Sequence, residues 1–119
     1  MNKIELSFRD DQSHFRPGEH VEFTVSWQLD EIPERIELRV LWNTQGKGDT
    51  DLEEVDRMTL NNPPLQETRQ IAYRLPRSPH SFSGKLISLV WAIEAIAFPM
   101  EESCRLEIVI APDAQEIQL

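Results

Sequence analysis

Between Glu19 and Leu29 apolar and polar residues alternate without a break: Val21, Phe23, Val25, Trp27 and Leu29 fall in one phase, and Glu22, Thr24, Ser26 and Gln28 in the other. A period of two is that of a β-strand with one face on a core and one in water. The same rhythm places Ile4, Leu6 and Phe8 in a first short strand. It places Ile36, Leu38, Val40 and Trp42 opposite Glu37, Arg39, Leu41 and Asn43 in another. Ile71, Tyr73 and Leu75 share a phase in 65–75, as do Cys104, Leu106, Ile108 and Ile110 in 103–111. Residues 52–60 are less regular, because Glu53, Glu54 and Asp56 dilute the pattern, and this predicts a short or edge strand.

The most apolar stretch follows Gly84. Ile87, Leu89, Trp91, Ile93 and Ala95 carry the larger side chains and are predicted to point inward, alternating with Leu86, Ser88, Val90, Ala92 and Glu94. Burying an Ile or Trp is worth roughly 1.5–3 kcal/mol, so a one-residue slip of this strand is strongly opposed and it belongs near the middle of a sheet. Its outward row, Leu86, Val90, Ala92 and Ile96, is more apolar than a water-facing row requires. Either this chain covers it, with Ile117 and Leu119 of the C-terminal segment as one candidate cover, or a protein partner or second copy does.

Turn signals separate these runs. Pro17-Gly18, Pro33, Asn61-Asn62-Pro63-Pro64 and the pair Pro76 and Pro79 each interrupt a ladder, since proline fixes φ and removes a donor. Asp10–Gly18 reads as a polar loop, and residues 43–51, with two glycines and no apolar side chain after Trp42, as a mobile one. About seven strands with short connections and no helical period predict an all-β, antiparallel, immunoglobulin-like sandwich over residues 1–112 with a tail at 113–119.

Composition fits one domain. At 119 residues the chain can bury roughly two-thirds of the surface that its unfolded form exposes. With 28% charged and 39% apolar residues it is globular in type rather than disordered. No apolar run is long enough for a membrane span, and MNKIELSF lacks the layout of a signal peptide, so a cytoplasmic location is expected. The formal net charge of −9 argues against nucleic acid as a partner, which needs a basic stripe. Arg69, Arg74 and Arg77 are the one local basic group able to take a phosphate or acidic peptide.

Candidate chemistry is thin. Cys104 is the single cysteine, which excludes an intrachain disulfide, and its phase predicts a small buried core residue. Ser13-His14 and His80-Ser81 are sequence neighbours with no nucleophile-elbow motif, and adjacent extended residues are expected to point apart. Ser81 is expected instead to satisfy backbone groups at the corner, with His80 facing solvent. Asp49, Asp51, Glu53, Glu54 and Asp56 could offer oxygen ligands to calcium but lack the glycine-centred spacing of an EF-hand. His14, His20 and His80 show no zinc spacing. No cofactor, metal or catalytic residue is assigned.

Several segments together resemble the arrestin family, including its single-chain bacterial and archaeal members. They are Pro17-Gly18-Glu19 before a strand, Leu75-Pro76 ending another, the Pro79-His80-Ser81-Phe82 corner, the Leu89, Trp91, Ile93, Ala95 strand, and a closing strand 108–112 ending in proline. The resemblance covers about residues 15–112. It implies one arrestin-like lobe and a non-enzymatic interaction or scaffold role, by sheet-edge or loop contacts, in trafficking, signalling or sporulation-type control. The chain has length for one lobe, so a homodimer is the way to rebuild the two-lobed arrangement, and the buried polar core between the family's halves does not carry over. The other reading is a small-ligand or carbohydrate-binding sandwich. Against it, Phe8, Phe23, Trp27, Trp42 and Trp91 are all assigned to the core, which leaves no stacking platform.

Overall fold

The computed structural model describes residues 1–46, 50–84 and 86–118. Asp49 and Leu119, on which the calcium and tail expectations partly rest, lie outside the described residues. Among these residues the chain forms ten strands and two short 3₁₀ turns. The strands are β1 (Lys3–Phe8), β2 (His14–Phe15), β3 (His20–Gln28), β4 (Arg35–Gly46), β5 (Leu52–Asn61), β6 (Gln66–Arg74), β7 (Phe82–Ser83), β8 (Ile87–Phe98), β9 (Glu102–Ile110) and β10 (Ile117–Gln118).

They make two sheets packed face to face. The smaller has the order β1-β3-β6, antiparallel throughout. In the larger, β8 pairs with β4 along its whole length and β4 with β5; the other side of β8 is shared by β9 and β7. β1 lies over β8 and β9. At the opposite side Tyr73 of β6 and Asp56 of β5 approach each other across the two edge strands.

The long strand sits centrally with its predicted phase: Trp91, Ile93 and Ala95 are fully buried, together with Ile36, Leu38 and Val40 of the adjacent β4 and Phe23 and Val25 of β3 in the facing sheet. The Trp91 indole N–H donates to the Pro79 carbonyl at 2.8 Å, which satisfies its polar atom inside the core. Ser81 performs the expected backbone role. Its N–H donates to the Ile110 carbonyl at 2.7 Å, and its Oγ accepts the Ile110 N–H at 3.0 Å.

Two segments quoted for the resemblance meet in space. Arg16 to Glu19 form a type II turn with Pro17 and Gly18 at its centre, where Gly18 takes φ +72° and Glu19 N–H donates back to Arg16 at 3.2 Å. Gly18 N–H reaches the Pro76 carbonyl at 3.3 Å and Leu75 N–H the Glu19 carbonyl at 2.9 Å, so this turn is stitched to the end of β6.

The structure corrects several expectations. β4 runs on to Gly46, into the segment predicted as loop, because it stays paired with β8 as far as Ile87. The polar loop 10–18 contains β2, and Phe15 within it is buried, stacking 4.5 Å from Phe8; one large apolar residue in a polar segment gives no periodicity to read. The C-terminal segment does not cross the outer face of β8. It adds β10 in parallel to β7 at the sheet edge. Cys104 and Trp42 share the core phase but are only half-buried, Cys104 on β9 and Trp42 towards the end of the sheet.

Candidate functional site

The outward face of the large sheet is where the apolar row was predicted to need a cover. Along this face β4 and its neighbours carry Arg35, Glu37, Arg39, Arg57, Glu54, Glu94 and Arg105 in adjacent rungs of the register. Glu37 accepts from Arg39 at 2.6 Å and from Arg35 at 3.1 Å, with Arg57 3.8 Å away. Glu54 joins the lattice through Arg57 at 2.8 Å and Arg39 at 3.3 Å. The Arg39 hydrogen bond, against the desolvation of a buried group and with help from Arg35, holds the Glu37 carboxyl below its usual range.

This lattice explains Ala92. It has no exposed surface, and its rung neighbour Leu41 is buried as well, with Glu54 and Glu107 on either side of the pair and Arg39, Arg57 and Arg105 in the adjacent rung. Long charged side chains shield apolar surface with their stems while keeping their heads wet. Ala92 is therefore covered by its own sheet and offers no contact surface, and neither the tail nor a partner is needed there. Ile96, opposite Glu37, is half-buried at the lattice margin.

Beyond the lattice the picture changes. β4 and β8 have twelve residues each, about 40 Å of strand, while the small sheet's strands have six to nine, about 20–30 Å. The large sheet outruns its cover at the end formed by residues 45–46 and 86–88. Leu86 is 69% exposed and Leu52 66%, and Ile87, Val55 and Ile117 are exposed too. Ile87 was expected inside. It keeps the inward phase, but no small-sheet strand reaches its rung. Val90 is half-buried and lines a groove of about 280 Å³ with Gln45, Glu107 and Glu116. A second groove of about 530 Å³ runs past Leu52, Asp51 and Arg105. Of the predicted outer row, Leu86 and Val90 lie toward this end, with Leu52 in the rung of Asn43 and Val90 and with Ile87 turned to the opposite face, whereas Ala92 and Ile96 lie beside the charged lattice. Leu52 was missed because its strand is rich in charge, while Ile117, expected as a cover, is itself exposed.

Of the three arginines Arg74 and Arg77 both lie against Gly18, and Arg69 lies apart from them. Arg69 lies in the core-facing phase of β6, donates to Glu67 at 2.7 Å and sits 5.9 Å over the Trp27 ring. Arg74 lies in the opposite phase and donates to the Gly18 carbonyl at 3.3 Å, while Arg77 packs beside Gly18. In the acidic segment Glu54 is held by arginines, and Asp56 accepts the Arg57 N–H at 2.8 Å. Among the described residues no group of three or more His, Cys, Asp or Glu is gathered.

Contrary to expectation, Ser13 and His14 do touch, Oγ to Nδ1 at 3.0 Å, since Ser13 precedes β2 and escapes strand alternation. The contact is exposed, and among the described residues no third group orients the imidazole, as a catalytic base requires.

The fold is an immunoglobulin-like β-sandwich with the architecture of one arrestin-like lobe. Among solved structures it matches Spo0M, the sporulation control protein from Bacillus subtilis, with a TM-score of 0.70 and 15% sequence identity over 93% of this chain and 49% of that one. The chain thus spans about half the length of that neighbour. No protein-family model and no curated protein sequence matches it. Among the described residues, no helix is long and apolar enough to cross a membrane.

Proposed function

We propose that the chain is a non-enzymatic, cytoplasmic protein-interaction module that binds a protein partner through the uncovered end of its large sheet. The observation that carries this reading is the exposure of Leu86, Ile87 and Leu52 toward the end of the large sheet that the second sheet does not cover. Scattered surface apolar residues are ordinary, but several on one rigid platform, rimmed by polar groups such as Asp51, Glu107 and Glu116, suit a protein interface. The likeness to one half of a sporulation control protein supports a regulatory role of that kind.

The test is site-specific photo-crosslinking in the native host, with the probe placed at Leu86 in one strain and at Ile32, exposed at another surface, in a second. One discrete partner adduct at Leu86 and none at Ile32 is expected. Equal labelling at both positions refutes the assignment.

A further inference from the structure

Each sheet edge of this sandwich is a row of unpaired backbone groups, and natural proteins guard such rows with inward charges, bulges or covering segments. β6 is guarded by Glu67 and Arg69, which occupy its core-facing phase. β5 is guarded by a bulge opposite Val40 and Leu41 and by the charges of 53–57. β7 is capped by β10, and the end of β9 by β2. β1 lacks an inward charge, a bulge and a covering strand, and its guards are its short length and the exposed Lys3 and Glu5. Among the described residues it pairs with β3 alone, is regular from Lys3 to Phe8, contains no proline, and turns only Ile4, Leu6 and Phe8 toward the core.

We infer that the open edge of β1 pairs antiparallel with β1 of a second copy of this chain, around a two-fold axis at Ile4. An axis perpendicular to the sheet keeps both inner faces on one side, so residues of like phase must meet. With Ile4 opposite Ile4 of the second copy, Lys3 stands opposite that copy's Glu5, and Glu5 opposite its Lys3. Lys3 and Glu5 already pair within one strand at 3.1 Å, both well exposed, so the two strands build a checkerboard of alternating charge. The next register, centred on Glu5, sets two carboxylates against each other and is disfavoured by repulsion. The result is one continuous sheet in the order β6-β3-β1-β1-β3-β6. Beneath it, the same side of each copy carries the free stretch of β9, where Cys104 and Leu106 point to the core but remain half-buried. The two-fold brings these rows toward each other. This surface lies away from Leu86, so it stands or falls independently of the partner site proposed above.

Sedimentation velocity of the whole chain tests this at physiological salt, where the −9 charge of each copy is screened beyond about 8 Å. The wild type is expected to dimerise reversibly. Glu5→Lys and Lys3→Glu should each weaken the dimer by about tenfold or more, with circular dichroism unchanged, because the opposed rows become all-basic or all-acidic. An equimolar mixture of the two variants should form a heterodimer, and the double variant Lys3→Glu/Glu5→Lys should dimerise again. A wild type that stays monomeric at millimolar concentration, or a dimer that both single variants keep, overturns the inference.

Discussion

Ser81→Ala removes one oxygen atom from the centre of the corner, and its cost follows from where the Ile110 amide can turn. β2 takes up the alternate groups on this side of β9: Val109 N–H donates to Ser13 at 2.8 Å and Ala111 N–H to Phe15 at 3.1 Å. The Ile110 N–H points the other way, where β8 has already ended its pairing with β9 at Trp91 and Ile108, and Ser81 Oγ takes the place of the missing strand. Ser81 is 1% exposed, so the variant leaves a buried donor without a partner and without room for bulk water. An orphaned buried amide costs about 1–3 kcal/mol, and removing a hydroxyl recovers little of that. We expect a loss of about 2 kcal/mol, a large part of a total that is about 5–15 kcal/mol for a domain of this kind. At about 5 °C per kcal/mol for this chain length, Tm should fall by about 10 °C. Urea titration followed by tryptophan fluorescence reads this as a lower midpoint with an unchanged slope. Ser103→Ala, on the exposed phase of β9, is the control and should stay within about 0.5 kcal/mol of wild type. A Ser81→Ala variant as stable as that control refutes the argument that Ser81 stands in for a strand.

Three further outcomes follow from named contacts. Glu37→Ala leaves Arg35, Arg39 and Arg57 facing one another and should cost about 2 kcal/mol by denaturant titration. Because the folded state holds the Glu37 carboxyl below its usual 4.5, the stability it lends is complete above that pH and fades as pH falls below it, and the variant should lack this acid-side loss. Tyr73 is the one tyrosine, and burial, aided by the nearby Asp56 carboxylate, pushes its phenol well above the usual 10. Its stabilising effect is therefore full below about pH 10 and lost as pH rises further, so phenolate absorbance should appear only at higher pH, together with unfolding. Gly46→Ala should destabilise by about 1–3 kcal/mol in the same titration, since a Cβ there would sit 2.0 Å from the Leu86 carbonyl oxygen.

Alternation in the chain was enough to read the strands themselves, because each has one face in contact with the core: β1, β3, β8 and β9 lie where the phase of Phe8, Phe23, Trp91 and Ile108 puts them. It was also enough to mark β5 as an edge. What alternation cannot carry is lateral information. Nothing in Ile117-Gln118 names Phe82-Ser83 as its neighbour, and a two-residue pairing is too short to leave a period. Ala92 reads as exposed by phase because its cover is made of arginine and glutamate stems from three other strands, residues that count as polar in any pattern. Arg69 reads as a surface cation for the same reason, although its phase on β6 matches that of Ile71 and Tyr73. The overhang depends on a difference in length between sheets, and that difference became visible only when β4 proved to run to Gly46.

The most direct test of the binding role is isothermal titration of the partner cross-linked at Leu86 against the wild type and against Leu86→Asp. Leu86 is exposed and outside the core, so the variant should keep the wild-type Tm while its affinity falls by about tenfold or more, equivalent to about 1.4 kcal/mol. Unchanged affinity in a folded Leu86→Asp chain would contradict the assignment of the overhang as the binding surface.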